Sequence, residues 1–349
     1  LKRKAGNLQQ FDFSDLDLNG KDILVTGGTG SFGRAFVSMI LQNFNPRRLI
    51  IYSRDESKQH DMAREHGYAL GQANNLPLRF LIGDVRDKER LELAMHDVDY
   101  VIHAAALKHV PMAEYNPMEC IKTNVQGAEN VVAAALNCNV HRVIGLSTDK
   151  AANPINLYGA SKLAADKIFI AANHLVGRRE TRFSVVRYGN VLGSRGSVVP
   201  LFRDLIARNV AALPVTDPRM TRFWITLPRG ASFVLSCLST MQGGEIFIPK
   251  IPSMKIVELA AAMAPDLPIE TIGIRPGEKL HEVMVTKDEA RMTYDLGDRY
   301  VIAPSFAFWE SGYSLGPAAT PVAEDFEYGS DTNDRWFTIE TMTDLLNDL

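Results

Sequence analysis

The chain has 349 residues, enough for one large domain or two smaller ones, and its 38 lysines and arginines against 41 aspartates and glutamates leave a formal charge of −3. That balance gives no general polyanion-binding character, so no nucleic-acid partner is expected, although a local basic pocket is compatible with it. The three cysteines, Cys120, Cys138 and Cys237, are odd in number and form no Cys-x-x-Cys, which predicts a reduced, cytoplasmic compartment. No apolar run reaches the ~18–20 residues of a membrane helix.

The opening stretch LKRKAGNLQQFDFSDLDLNG has basic residues with no apolar run behind them and is not expected to be a secretory signal. It reads as an N-terminal extension over residues 1–20, a flexible arm or an oligomer contact, closed by the turn pair Asn19-Gly20. From Lys21 short apolar runs alternate with helical patterns, the signature of βαβ units on a parallel sheet. DILVTG, RLIIYS, LRFLIGD, VDYVIHAA, HRVIGLST and FSVVRYGN are the expected strands. GRAFVSMILQNF, SKQHDMAREHGY, NVVAAALNCN and LYGASKLAADKIFIAANHLV are the helices among them. Six strands by about Asn190 predict a doubly wound α/β dinucleotide fold.

Beyond Asn190, VVPLFRDLIARN and GASFVLSCLSTM read as helices and EIFIPK as a strand that rejoins the sheet. MKIVELAAAMA, IETIGI and RPGEKLHEVMV follow. The turn-rich, acidic YSLGPAATPVAEDFEYGSDTNDRW is expected to be a partly mobile surface segment. The expected division is a Rossmann domain over 21–190 plus about 223–252, and a smaller mixed α/β substrate domain over about 191–222 plus 253–349. No repeat and no low-complexity tract is present.

TGGTGSFG stands between a strand and a helix, with Gly27, Gly30 and Gly33 spaced Gly-x-x-Gly-x-x-Gly. The first permits a tight turn, the second a close approach to pyrophosphate, the third close helix–strand packing; free N–H groups at the helix start face the phosphates. Thr29, Ser31 and Phe32 complete that loop as cofactor contacts. At the end of the second strand, Ser53, Arg54 and Lys58 suit a 2′-phosphate better than a bare diol, so NADP is expected over NAD, with Asp55 still within reach of a ribose. Asp84, with Val85 beside it, can accept from the adenine amino group, and Ala104 in HAAA leaves room for the nicotinamide half. His103 on its buried strand reads as a core histidine. None of the eight histidines has metal-ligand spacing, so no metal is expected.

Tyr158 and Lys162 lie i and i+4 on one helix face. An ordinary phenol, near pKa ~10, is a poor base at neutral pH. A neighbouring ammonium and a positive nicotinamide are expected to lower that value, so that Tyr158 takes a hydroxyl proton while hydride leaves the same carbon. Upstream in the same segment, STDKAANPINLYGASK, stands a second ionisable pair, Asp149-Lys150.

Together TGGTGSFG, HAAALKHVP, TNVQGAENV, STDKA, YGASK and RYGNV resemble the extended short-chain dehydrogenases/reductases. With YSRDE, HAAALKHVPMAEYNP, LSTDKAANPINLYGASKL, RYGNVLGSRGSVVPLF, MTRFWITL and RPGEKLHE, the chain resembles more narrowly the inverting UDP-N-acetylglucosamine 4,6-dehydratases of pseudaminic acid synthesis, over roughly Lys21 to Glu289. The resemblance implies that Tyr158 and Lys162 oxidise C4 with Thr148 positioning the hydroxyl, that Lys150 removes the C5 proton and that Asp149 protonates the leaving C6 hydroxyl. Lys150 must then be neutral, which the nicotinamide and Lys162 are expected to favour by lowering its pKa, and Asp149 must hold a proton. Retaining dehydratases carry Asp-Glu where this chain has Asp-Lys, so inversion at C5 is expected. Tyr158 also separates the chain from a related inverting branch that carries methionine there.

By the same resemblance Lys108 approaches both nicotinamide and substrate, Thr123 and Val191 lie against the cofactor, and Asn190, Arg222, Arg275 and Glu278 hold the UDP-sugar; Arg195 is a further basic candidate. A homo-oligomer is implied, with KLAADKIFIAANHLV a possible interface helix. The alternatives on the same fold are a retaining dehydratase, an epimerase, for which Asp149-Lys150 has no role, and a non-catalytic NADP-sensing protein, for which the preserved Tyr158, Lys162 and Lys150 have none.

Overall fold

DILVT is apolar through its centre, and β1 (Asp22–Thr26) is buried along its whole length, as a strand inside a parallel sheet requires. Its one charge, Asp22, is fully buried but paired: the Arg47 guanidinium donates to both carboxylate oxygens, at 2.9 and 2.6 Å, and Arg48 Nε to one of them at 2.5 Å. The computed structural model describes residues 10–67, 77–305 and 313–349. Residues 1–9 of the extension and Tyr68, expected at the end of the second helix, lie outside the described residues.

In chain order follow α1 (Ser31–Asn43), β2 (Arg48–Ser53), α2 (Glu56–Glu65), β3 (Leu78–Ile82), α3 (Lys88–Ala94), β4 (Tyr100–His103), α4 (Val110–Tyr115), α5 (Pro117–Ile121), a π-turn at Lys122–Gln126, α6 (Gly127–Asn137), β5 (Arg142–Thr148), α7 (Leu157–Ala172) and β6 (Arg182–Tyr188). The six strands run parallel in the order 3-2-1-4-5-6, the Rossmann arrangement expected, with the crevice at the carboxyl ends of β1 and β4. Ile246–Pro249 rejoins the sheet parallel to β6. Arg299–Ile302, Thr293–Asp295 and Thr320–Pro321 then extend it antiparallel to ten strands.

Two apolar cores result. The larger lies on the sheet, under α1, α6, α7 and Leu227–Thr240. The smaller joins Leu192, Val199, Phe202, Leu213, Met220 and Trp224 to Met254, Leu259, Met342 and Leu346. Strand Thr221–Ile225 serves both by alternation: Phe223 and Ile225 enter the large core, Trp224 the small one. Residues 293–302, grouped in sequence with the substrate domain, instead complete the large sheet, because Val301 and Ile302 are apolar enough to cover the exposed edge of Ile246–Pro249.

Two further segments differ from expectation. Within the extension, Phe11, Leu16 and Leu18 are buried, and the Phe11 ring lies 4.6 Å from that of Phe233, between the guanidinium groups of Arg229 and Arg299 at 5.1 and 5.6 Å. The acidic tail is anchored by the Tyr328 hydroxyl, which donates to the Ile251 carbonyl at 3.0 Å, by Asn333 on the same carbonyl at 2.9 Å, and by Tyr328–Gly329 pairing with Val283–Val285. Among the described residues no helix is long and apolar enough to cross a membrane.

Candidate active site

After β1 the chain must turn sharply to start α1, and Gly27 takes that turn with φ +65°. A Cβ there would stand 2.8 Å from the Ala105 backbone nitrogen, so the loop lies directly on the chain leaving β4. Gly27 donates its N–H to the Tyr52 carbonyl at 2.8 Å, and Gly30, at the N-cap of α1, donates to the Gly27 carbonyl at 2.9 Å. Gly33 packs on the backbone of Gly28. Thr29 is buried, Phe32 stacks on Phe36 at 5.5 Å and on Tyr188 at 6.3 Å, and Ala104 donates to the Thr26 carbonyl. The Ser31 hydroxyl accepts from the Arg195 N–H at 3.2 Å, and Lys108 donates to the Arg195 carbonyl at 2.7 Å, so the 193–197 loop closes over the helix start. Burial lowers the pKa of Lys108.

At the end of β2 the Ser53 hydroxyl is held by Gln59 at 3.0 Å. Asp55 caps α2, accepting the Lys58 N–H at 2.9 Å, and its carboxylate also pairs with the Lys58 ammonium. Arg54 remains, half exposed and 3.6 Å from Asp84. Asp84 is gripped by Arg86 at 2.9 and 2.6 Å; burial opposes ionisation, but those bonds outweigh it and hold the carboxyl below its usual range. Val85 is buried next to it, and the Thr123 hydroxyl is buried without a hydrogen-bond partner. Asn124, in the π-turn, clamps Leu107 by both its carbonyl and its N–H and reaches Ser161 at 2.9 Å. His103 is buried, bonded to the Thr26 hydroxyl at 2.9 Å and lowered to about 3 by burial and then by Lys162, so it is a neutral core histidine.

The chemical groups converge on the carboxyl end of β5. Tyr158 and Lys162 fall on one buried stripe of α7 with Ala165, Phe169 and Ala172. A short turn, Asp149–Ala151, lies against the start of this helix, and a Cβ on Gly159 would run into the Lys150 carbonyl. Asn156 caps the helix on the Gly159 N–H at 2.8 Å and donates to the Gly277 carbonyl at 2.7 Å, tying in the loop that carries Arg275 and Glu278. Lys162 donates to the Leu146 carbonyl at 2.5 Å, and burial lowers its pKa.

Asp149 is buried. One of its oxygens accepts from the Thr148 hydroxyl and from Lys150 Nζ, each at 2.9 Å; the other has no partner. Lys150 Nζ also lies 3.2 Å from Glu282, a buried carboxylate that sequence reasoning missed. The expected lowering of the Lys150 pKa is not what the geometry gives. Burial alone would lower it, but Asp149 and Glu282 outweigh burial and raise it. Tyr158 likewise stands high, at about 12, because burial outweighs the help of Lys150 and of its hydrogen bond to Thr148.

The substrate candidates separate. Asn190 and Val191 pair with Trp224 and Ile225 beside the site. Arg222 is buried, donating to the carbonyls of Thr221 at 2.7 Å, Leu280 at 3.1 Å and Lys279 at 2.9 Å, so its fork is turned onto backbone and not held open for a diphosphate. Arg275 is exposed, and its N–H lies 3.4 Å from the Glu278 carboxylate. Lys279, also missed, donates to the Ala152 carbonyl at 2.6 Å beside the Asp149 turn. Glu282 carried a faint signal: it alternates in phase with the buried Met284.

A family model described as "Polysaccharide biosynthesis protein" matches residues 23–304. A protein of Campylobacter jejuni (strain 81-176) named "UDP-N-acetylglucosamine 4,6-dehydratase (inverting)" is 56% identical over 334 residues, 94% of this chain and 98% of its own. The chain belongs to this family of extended short-chain dehydrogenases/reductases. A Rickettsia felis relative named "UDP-glucose 4-epimerase" is 45% identical over 81% of the chain and 82% of its own. Among solved structures, Pen from Bacillus thuringiensis matches with a TM-score of 0.85 at 35% identity, covering 95% of this chain and 99% of its own. The dTDP-glucose 4,6-dehydratase DesIV of Streptomyces venezuelae, at 24% identity and a TM-score of 0.64 over 74% of this chain and 86% of its own, shares the fold.

The glycine loop after β1 makes one prediction. Gly27→Ala forces a side chain into the left-handed region and into the Ala105 backbone, so binding of a reduced nicotinamide dinucleotide, read by cofactor fluorescence, should be lost while circular dichroism is unchanged. Unaltered binding would contradict the placement of the cofactor on this loop.

Proposed function

We propose that this chain is an NADP-dependent inverting 4,6-dehydratase that converts UDP-N-acetylglucosamine to UDP-2-acetamido-2,6-dideoxy-β-L-arabino-hexos-4-ulose, the first step of pseudaminic acid biosynthesis. The observation that carries the reading is the contact of 2.9 Å between the buried Asp149 and the partly buried Lys150, beside Tyr158 and with one Asp149 oxygen unpartnered. The similarity to the Campylobacter jejuni dehydratase supports the substrate. The epimerase reading draws on the Rickettsia relative, but it leaves that buried pair without work. On the preferred reading the protein works in the cytoplasm as a homo-oligomer, with the large sheet binding the cofactor and the smaller core facing the UDP-sugar.

The cradle fits a dinucleotide: the Gly27 turn has no room for a Cβ, and the buried Thr123 hydroxyl lacks a partner. Gly30 and Ser31 present the helix start to the pyrophosphate, Asp84 faces the adenosine end, and Arg54 is the cation for a 2′-phosphate, since Lys58 already pairs with Asp55. Held there, NADP would supply the hydride acceptor for C4 and the hydride donor for C6, so the net reaction would consume none.

Tyr158 takes the C4 hydroxyl proton, with Thr148 orienting the hydroxyl and Lys162 adding positive charge beneath the site. Further positive charge is needed there because burial holds the phenol at about 12 even with Lys150 and the Thr148 hydrogen bond lowering it. The 4-keto group then acidifies the C5 proton. Asp149 and Lys150 at rest form an ion pair sharing one proton, and transfer of that proton across the contact creates a free amine and a carboxylic acid together. Lys150 removes the C5 proton, and Asp149 protonates the departing C6 hydroxyl. The pair finishes in its starting charge state; C5 takes its new proton from solvent water on the opposite face, and Tyr158 returns the C4 hydroxyl proton to solvent, so the protons balance.

Lys150→Ala should lower turnover of UDP-N-acetylglucosamine at least about 100-fold, measured by chromatography of the nucleotide sugars, while NADP affinity stays unchanged. Full turnover in that variant would remove Lys150 as the base. Arg54→Ala should raise the Kd for NADP about 10-fold or more and that for NAD by less than about 3-fold in calorimetry; equal losses would refute the 2′-phosphate assignment.

A further inference from the structure

Five ionisable side chains from three distant parts of the chain meet in one buried cluster. Asp149 and Lys150 leave β5, Arg222 lies on the strand Thr221–Ile225, and Lys279 and Glu282 follow the RPGEK loop. Glu282 stands at their centre. One of its oxygens lies 3.2 Å from Lys150 Nζ and 3.8 Å from Arg222 Nε; the other lies 4.0 Å from Lys279 Nζ and has no hydrogen bond. Its backbone is fixed on the anchored tail, donating to the Ser330 hydroxyl at 2.9 Å and accepting the Ser330 N–H at 2.8 Å. Ser330 in turn bonds the Thr221 hydroxyl at 2.7 Å, which also meets His281 at 2.8 Å.

A buried carboxylate on this scale of desolvation requires a compensating cation, and Glu282 has three. Arg222 and Lys279 hold it through backbone anchors of their own, which leaves Lys150 as the partner whose charge changes in the reaction proposed above. In that reaction Asp149 must give up its proton to the leaving hydroxyl. It therefore cannot serve as the constant counter-ion of Lys150 throughout the cycle.

We propose that Glu282 is the positioning residue of the general base: it holds the Lys150 amine in place and supplies a second carboxylate, besides Asp149, that keeps one proton on the Asp149–Lys150 pair. This rests on the dehydratase reading for its role in turnover, but not for its effect on Lys150. The groups acting on the Lys150 amine are Asp149, Glu282, Arg222 and Tyr158, with Lys279 acting through Glu282 and His281 beside it. The two carboxylates raise the Lys150 pKa, so the pair holds its proton until the pH climbs through that raised value. Removing Glu282 lowers that pKa, and the proton is then lost at lower pH.

The test is competitive acetylation of the full-length protein with acetic anhydride across pH, followed by mass spectrometry of the peptide carrying Lys150, in wild type, Glu282→Gln and Glu282→Asp. The midpoint of Lys150 acetylation should fall by at least about one pH unit in Glu282→Gln, with Glu282→Asp between it and wild type and Lys162 unmoved. In turnover of UDP-N-acetylglucosamine, the alkaline limb of the pH–rate profile should move down by the same amount. A midpoint that stays in place in both variants, with only the amplitude of activity reduced, would overturn the proposal and leave Glu282 a packing residue. A wild-type protein inactive on UDP-N-acetylglucosamine would refute the dehydratase reading alone, because the acetylation midpoints decide the role of Glu282 without any substrate.

Discussion

The site depends on one close approach, that of the turn Asp149–Ala151 to the first turn of α7. Gly159 makes it possible, since any Cβ there would occupy the place of the Lys150 carbonyl. The approach sets a phenol and a lysine, held i and i+4 on a helix, against an aspartate and a lysine held at the end of a strand. Asn156 secures the same junction from both sides, capping the helix and binding the Gly277 carbonyl. Sheet, helix and the 275–279 loop therefore share a single corner, and movement of any one of them would separate the two ionisable pairs.

Burial then decides the protonation chemistry. Burial favours a neutral lysine in this corner, but two carboxylates reverse that tendency, and the Tyr158 phenol stands at about 12 despite the lysine beside it. The resting site is thus an ion pair beside a neutral tyrosine, not the free base beside a phenolate that the reaction needs. On the proposed mechanism the difference would be bridged by moving one proton across 2.9 Å within the Asp149–Lys150 pair, and by the positive charge that a bound nicotinamide would bring to Tyr158. A dehydratase that returns its hydride to the same molecule can keep such a closed proton inventory.

Much of this was legible in the chain. Apolar runs such as DILVT and RLIIYS, separated by helical spacing, located all six strands of the Rossmann half, and the glycine spacing after β1 located the tight turn into α1. Short elements left no periodic trace: α3, α4 and α5 have 7, 6 and 5 residues, less than two turns each. Long-range charge was also invisible. The sequence places Lys150 near Lys162 and predicts a lowered pKa, whereas the fold brings in Glu282 from beyond the 275–279 loop. The acidic tail read as surface because its composition is polar, yet Tyr328, Ser330 and Asn333 each find buried backbone partners. Arg222 looked like a phosphate ligand until its fork was found on three carbonyls.

The most direct test of the account is proton NMR of the product formed from UDP-N-acetylglucosamine in deuterated water with sub-stoichiometric NADP. The account predicts complete conversion to a 4-keto-6-deoxy sugar with deuterium at C5 and the couplings of the L-arabino configuration. Couplings of the D-xylo isomer would contradict the roles given to Asp149 and Lys150, and a galacto-configured product with its C6 hydroxyl intact would contradict dehydration itself.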